Sequence, residues 1–295
     1  MSETPEVTPD LLRALPLPRH HEGDDKEDRG RVLVVAGSAE MPGAALLAGT
    51  AALRVGAGKL QLAVPRGTAP QLAVAMPEAR VVPMPETVDG GHAPEAVERV
   101  VELAARASAV VVGPGMVGDE AVADLTSALL AEADGPPLLL DALALKDLPR
   151  QAEALARRGG RVVLTPHAGE MAGCLDIDIE AVKAAPLATA LQAASRLSAV
   201  VALKGGRTRI AAPDGRAWTC GRGYVGLATS GSGDTLAGLI AGLLARGAAP
   251  HVACLWGVYV HGEAGTRLAG RVGPLGYLAR EIPGEAPAIL AELDP

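Results

Sequence analysis

The 295-residue sequence contains no phenylalanine, and its aromatic residues together amount to 2%. A core without large rings must be filled by small side chains, and the 49% apolar content is mostly alanine, valine and leucine. Such a core brings backbones close together. Cysteine is scarce as well: Cys174, Cys220 and Cys254 are far apart, odd in number and lack CxxC spacing. They read as reduced thiols of a cytoplasmic protein and argue against a cysteine-built metal site. No apolar run approaches the ~20 residues a membrane span needs, and the acidic N-terminus MSETPEVTPD has no hydrophobic signal region. The net charge of −7 gives no support for nucleic acid or an anionic membrane as partner. A nucleotide site could still carry local positive charge.

Two nucleotide motifs are also missing. No GxGxxG follows the first strand candidate, which weighs against a standard dinucleotide-binding dehydrogenase. GAGK (56–59) fails as a P-loop, because Leu53 stands where the first glycine belongs and Leu60 replaces the Ser/Thr. It also precedes a strand candidate rather than a helix. Nor is there a linker or a fixed-period repeat. The chain therefore reads as a polar lead-in over 1–29, with a TPDLLRAL helix candidate and the solvated HHEGDDKEDRG, followed by one domain over 30–295.

What is present is an alternation. Short β-type runs (31–36, 59–64, 109–113, 137–141, 161–165, 199–204) alternate with Ala/Leu-rich helical stretches (43–56, 96–106, 121–133, and a long one near 178–198). Two further strand candidates flank Asp214-Gly215 as in a hairpin, and three helical segments close the chain. Continuous apolar strands separated by helices imply a mostly parallel central sheet with helices on both faces. In such sheets a ligand lies beyond the carboxyl ends of the strands. Six clusters stand there: GSAEMPGAA (37–45), GPG (113–115), Asp141, TPHAGE (165–170), KGGRT (204–208) and GLATSGSGDTLAG (226–238).

The last cluster holds four glycines and one acid, and Leu236, Leu239, Ile240, Leu243 and Leu244 after Asp234 are spaced as on the buried face of a helix. A glycine loop entering a helix N-terminus presents free N–H groups to an anion. A carboxylate repels phosphate unless it has a separate task, so Asp234 calls for a role of its own. Lys204 to Thr208, a lysine and two glycines directly after a strand, suits the nucleotide side of the site. His167, at another strand end, does not read as a metal ligand. His20 and His21 belong to the lead-in, and His251 and His261 fall on the C-terminal helices, so no partner lies at ligand spacing.

The order GSxxMxGAA, GPG, strand-end Asp, LTPHxGE, LKG and GSGDxLAG resembles the ADP-dependent NAD(P)H-hydrate dehydratases of the ribokinase-like superfamily. The resemblance spans roughly residues 26 to 265, with LTPHAGEM (164–171) and ATSGSGDTLAG (228–238) its most specific pieces. It implies a ribokinase-like α/β fold and repair of hydrated NADH and NADPH (NADHX and NADPHX), with ADP consumed to AMP and phosphate. It implies that Ala44, Gly115, His167 and Asp234 contact the hydrated dinucleotide, with Asp234 the base on its hydroxyl. It implies that Lys204, Gly205, Gly206, Arg207, Thr208 and Gly233 contact the adenine nucleotide, with Mg²⁺ as counter-ion, and that the chain forms a homo-oligomer, a tetramer. The apolar segment ACLWGVYVHG (253–262) suits either an interface or ordinary core. In some relatives an epimerase domain precedes this one, and 295 residues are expected to hold only one of the two. Two positions depart from the family pattern: Leu143 after the strand-end aspartate, and Thr219-Cys220-Gly221-Arg222 before the glycine loop. The rival readings are a sugar-, thiazole- or pyrimidine-alcohol kinase of the same superfamily and a non-catalytic nucleotide-binding regulator. An intact Asp234 argues against the regulator, since binding alone gains nothing from an acid beside phosphate.

Overall fold

The computed structural model describes residues 4–19, 21, 23 and 25–293; His20 lies outside them. The strands are β1 (Arg31–Val35), β2 (Lys59–Pro65), β3 (Ala79–Met84), β4 (Ala109–Val112), β5 (Leu138–Leu140), β6 (Val162–Leu164), β7 (Val200–Leu203), β8 (Thr208–Ala211) and β9 (Ala217–Cys220). They form one sheet in the order β3-β2-β1-β4-β5-β6-β7-β8-β9. Neighbours from β3 through β7 run parallel, and β8 and β9 close the far edge as the expected antiparallel hairpin. The chain moves outward from β1 to β2 and β3, then crosses to β4 on the other side. The gap beyond β1 and β4 is thus the switch point at which such sheets bind ligands.

The helices are α1 (Pro9–Ala14), α2 (Gly43–Arg54), α3 (Ala69–Ala75), α4 (Ala96–Ala104), α5 (Asp119–Ala131), α6 (Ala152–Arg157), α7 (Ala168–Leu175), α8 (Ile179–Ala184), α9 (Pro186–Arg196), α10 (Ser232–Ala245), α11 (Pro250–Arg271) and α12 (Ile282–Leu293). Alternate residues of each strand feed two cores. Val32 and Val34 face α2, α10, α11 and α12, while Leu33 and Val35 face α4, α5, α7 and α9. Burial on both faces explains why the strands read as unbroken Val/Leu runs. The helical stretch expected over 178–198 is two helices. Pro186 supplies no N–H and pushes Ala185 out of the helical region (φ −135°, ψ 57°), so the chain restarts at Pro186.

Small side chains bring α2 and α10 together. A Cβ on Gly242 would stand 2.5 Å from the Ala52 carbonyl oxygen, and one on Gly238 would overlap that of Ala48. From Thr235 to Ala245 every residue of α10 is buried, so it is the central helix of its layer rather than a one-faced surface helix. The segment ACLWGVYVHG proves to be core: seven of its residues, Ala253 to Trp256 and Val258 to Val260, are buried hydrophobics. The lead-in is not all solvated either. Val7, Leu12 and Leu17 join the α10–α12 core, and Trp256 Nε1 donates to the Leu15 carbonyl over 2.8 Å. Among the described residues no helix is long and apolar enough to cross a membrane.

Candidate active site

Beyond the carboxyl ends of the parallel strands, backbone and side-chain ties join the loops in sheet order. The Gly37 N–H donates to the Pro114 carbonyl over 2.8 Å, linking the loops after β1 and β4. A Cβ on Gly113, which has φ 119°, would overlap the Asp141 carbonyl oxygen after β5. Thr165 after β6 donates its hydroxyl to Asp141 Oδ1 over 2.8 Å. The Lys204 N–H after β7 donates to the Pro166 carbonyl over 2.8 Å. Sheet topology therefore assembles segments far apart in the chain.

Asp141 is 2% exposed. An isolated carboxylate there would be costly, but its Oδ1 also accepts from the Lys204 ammonium at 2.8 Å. Lys204 Nζ lies 3.9 Å from Glu170 Oε2 as well. Glu170 in turn accepts from the His167 N–H at 2.7 Å, while His167 Nδ1 accepts from the N–H groups of Gly169 and Glu170 at 3.0 and 3.2 Å. This reciprocal capping box starts α7. With Nδ1 accepting, the proton of neutral His167 sits on Nε2, 3.4 Å from Glu170 Oε1. His167 is thus a helix cap whose ring also lines the cleft described below.

The glycine loop enters α10 through Gly231, whose φ of 85° suits a residue without a side chain; a Cβ there would strike Leu47 of α2. Ser232 follows, its side chain and carbonyl 2.9 and 3.1 Å from His261 Nε2. A carbonyl can only accept, so His261 donates from Nε2, and burial lowers its pKa to about 4, which keeps the ring neutral. Asp234 stands in the first turn of α10. Among the described residues its carboxylate accepts no hydrogen bond, and the helix start carries no side-chain cap. Asp234 therefore does not serve as the cap that an acid in this position often is. Burial first, then the nearby Asp141 charge, push its pKa up to about 6, with Lys204 acting the opposite way.

A cleft of about 810 Å³ opens beside this helix start. Lys204, Gly205, Gly206 and Thr208 form one wall, Gly223 to Val225 and Leu227 to Thr229 the other, with Ser232, Gly233 and His261 at the inner end. Of the residues expected on the nucleotide side, Lys204, Gly205, Gly206, Thr208 and Gly233 come together here. Arg207 does not: its guanidinium pairs with Glu6 and faces a neighbouring hollow of about 440 Å³ beside Val182 and Pro186. On the α2 side of the helix start, Ala44 and Gly115 touch, since a Cβ on Gly115 would lie 2.6 Å from that of Ala44. Leu143 borders a separate hollow of about 330 Å³ next to Gly169 and Glu170. Arg222, the other departure, pairs with Glu263 at 3.3 Å and covers the Tyr259 ring.

Sequence reasoning placed Asp141 at a strand end without a partner and passed over Glu170, Ser232 and His261. Sheet-edge position was the only signal for Asp141, and a histidine in the middle of a helix gives none. Among the described residues no cluster of three metal-ligating side chains exists.

A family model described as NAD(P)H-hydrate dehydratase matches residues 32–287. The chain is 50% identical over 292 residues to an ADP-dependent (S)-NAD(P)H-hydrate dehydratase of Xanthomonas campestris pv. campestris, covering 97% of this chain and 96% of that one. The crystal structure of the ADP/ATP-dependent NAD(P)H-hydrate dehydratase from Bacillus subtilis, co-crystallised with ATP and Mg²⁺, superposes with a TM-score of 0.84 at 30% identity over the whole of both chains. A ribokinase-like superfamily protein from Enterococcus faecalis shares the fold, with a TM-score of 0.81 at 24% identity, covering 100% of this chain and 98% of that one. With its loops, its helix start and its free acid in this arrangement, the chain belongs to the NAD(P)H-hydrate dehydratase family.

Proposed function

We propose that the protein restores NADH and NADPH from the S-epimers of their hydrates at the expense of ADP, releasing AMP and phosphate. The observation that carries this reading is Asp234, an unpartnered acid of raised pKa in the first turn of α10, directly after the glycine entry that packs on Leu47 of α2. The cleft walled by Lys204 to Gly206 takes ADP, and the hydrate lies toward Ala44 and Gly115, with His167, which lines the cleft, at the junction of the two. Asp234 accepts the proton of the ring hydroxyl, whose oxygen attacks the terminal phosphorus as AMP leaves. The N–H groups at the start of α10 hold the transferring phosphoryl group throughout. The ring nitrogen's electron pair then expels phosphate, and loss of a neighbouring ring proton restores the double bond.

Magnesium fits this site only as a partner of the nucleotide. Among the described residues Asp141 and Glu170 stand around Lys204 and no group of three metal-ligating side chains exists, so the phosphates would supply most of the coordination. When bound, the ion neutralises phosphate charge. A cytoplasmic setting is part of the proposal, supported by three free cysteines. So is a homo-oligomer, which light scattering at micromolar concentration would test.

Absorbance at 340 nm with hydrated NADPH decides the reading. Recovery on adding ADP, with AMP and phosphate formed in equal amounts, supports it. A small-molecule alcohol kinase would consume nucleotide on its own substrate and give no recovery.

A further inference from the structure

The family model begins at residue 32, yet one residue far ahead of it touches Arg207 and Gly221, which adjoin the two walls of the nucleotide cleft. The segment around Glu6 adds to the outer edge of the sheet. Val7 N–H donates to the Thr219 carbonyl over 2.8 Å, and Thr219 N–H donates to the Pro5 carbonyl over 2.9 Å, giving a parallel bridge on β9. The segment that follows is anchored by burial of Leu12 and Leu17 and by the bond from Trp256 to Leu15. Glu6 is therefore held at a defined place rather than carried on a loose end.

Its carboxylate divides between two partners. Oε1 accepts from the Gly221 N–H at 2.6 Å, and Oε2 pairs with the Arg207 guanidinium. The three groups are packed, since a Cβ on Gly221 would stand 2.9 Å from Arg207 Nη1 and 3.0 Å from Glu6 Oε1. Arg207 directly follows Gly205-Gly206 on one wall of the cleft, and Gly221 directly precedes Arg222-Gly223 on the other. Both walls are glycine-rich stretches with little rigidity of their own. Tying them to one carboxylate from outside fixes their separation.

We infer that Glu6 is a positioning residue that sets the width of the nucleotide cleft by holding its two walls at Arg207 and Gly221. This rests on the reading of that cleft as the ADP site. It also gives Arg207 a task other than contact with the nucleotide. Both partners are about half exposed, so the pair contributes modestly to folding and chiefly to cleft geometry.

The test compares ADP affinity by calorimetry, KM for ADP, kcat and thermal stability in the wild type, Glu6→Gln, Glu6→Ala and Lys204→Ala. Glutamine can still accept from Gly221 but loses the ion pair, so KM for ADP rises roughly two- to threefold; alanine loses both ties and KM rises roughly five- to tenfold. In both, kcat stays within about twofold, because Asp234 and the start of α10 are untouched. Arg207→Ala added to Glu6→Ala has little further effect, as the two act through one contact. An unchanged ADP affinity in folded Glu6→Ala, beside a weakened one in Lys204→Ala, overturns the inference and leaves the cleft assignment standing. Unchanged affinity in both overturns the cleft assignment and the inference with it. Should Glu6→Ala fail to fold, the Glu6→Gln split between KM and kcat decides alone.

Discussion

Asp141 and Asp234 are two acids at the same edge of the sheet, close enough for the charge of one to disturb the other, and the end of β5 and the start of α10 treat them in opposite ways. Asp141 is shut away with a lysine and a threonine hydroxyl both at 2.8 Å, so its carboxylate is paired. Asp234 accepts no hydrogen bond from the described residues, and its pKa lies at about 6. A paired acid holds a structure, while an unpaired one with a pKa near neutrality is poised to take a proton. Environments that differ this far assign the two carboxylates to different work.

Removing the free acid should have the larger effect. Asp234→Asn keeps the shape but cannot accept the hydroxyl proton, so kcat on hydrated NADPH is expected to fall by roughly 10² to 10⁴. ADP binding should persist or tighten, since one negative charge near the phosphates is gone. Full activity in a folded variant would mean that the comparison between the two acids has no catalytic content.

Disturbing the paired acid should act on binding and stability instead. Lys204→Ala removes a cation from the nucleotide wall, and ADP affinity measured by calorimetry should drop roughly 10- to 100-fold. The same change strands the Asp141 carboxylate in the interior, at a cost on the order of 3 kcal/mol in denaturant unfolding. Asp141→Asn in that background should restore much of the stability and none of the affinity. If it restores neither, Lys204 and Asp141 are not a structural pair.

This pairing shows where sequence reading stops. The alternation of apolar runs and helical stretches made the parallel sheet and its flanking helices legible, and the glycine density around Asp234 marked a helix start. Lys204 and Asp141 lie 63 positions apart, however, and meet only because β6 stands between β5 and β7. Nothing local in the chain announces that. Strand β3 escaped notice for a related reason: ARVVPM contains Pro83, is exposed at Arg80 and Pro83 and sits at the sheet edge, so it lacks the apolar run of the inner strands. Helix α7 was hidden too, because AGEMAGCL carries two glycines and depends on the His167–Glu170 capping box. The lead-in read as polar by composition, and its few apolar residues are the ones that dock.

The smallest expected effect is on stability. The raised pKa of Asp234 means that the folded protein holds this proton more tightly than the unfolded chain. Between pH 3.8, the ordinary aspartate value, and about 6 the folded state binds more protons, so this group's contribution to stability falls as pH rises. Asp234→Asn should then melt a few degrees higher than the wild type at pH 8, and the gain should vanish below about pH 4. A variant less stable than the wild type at pH 8 would indicate a structural bond to Asp234.

The most direct measurement of the central claim is kcat against pH on hydrated NADPH with saturating ADP. If Asp234 is the base, kcat falls about tenfold per pH unit on the acid side of an apparent pKa that is about 6 in the free protein and is raised further by the charge of bound ADP, and the residual rate of Asp234→Asn shows no such step. A wild-type profile flat from pH 5 to 8, or the same acid limb in both proteins, would contradict the claim that the unpaired acid at the start of α10 takes the proton.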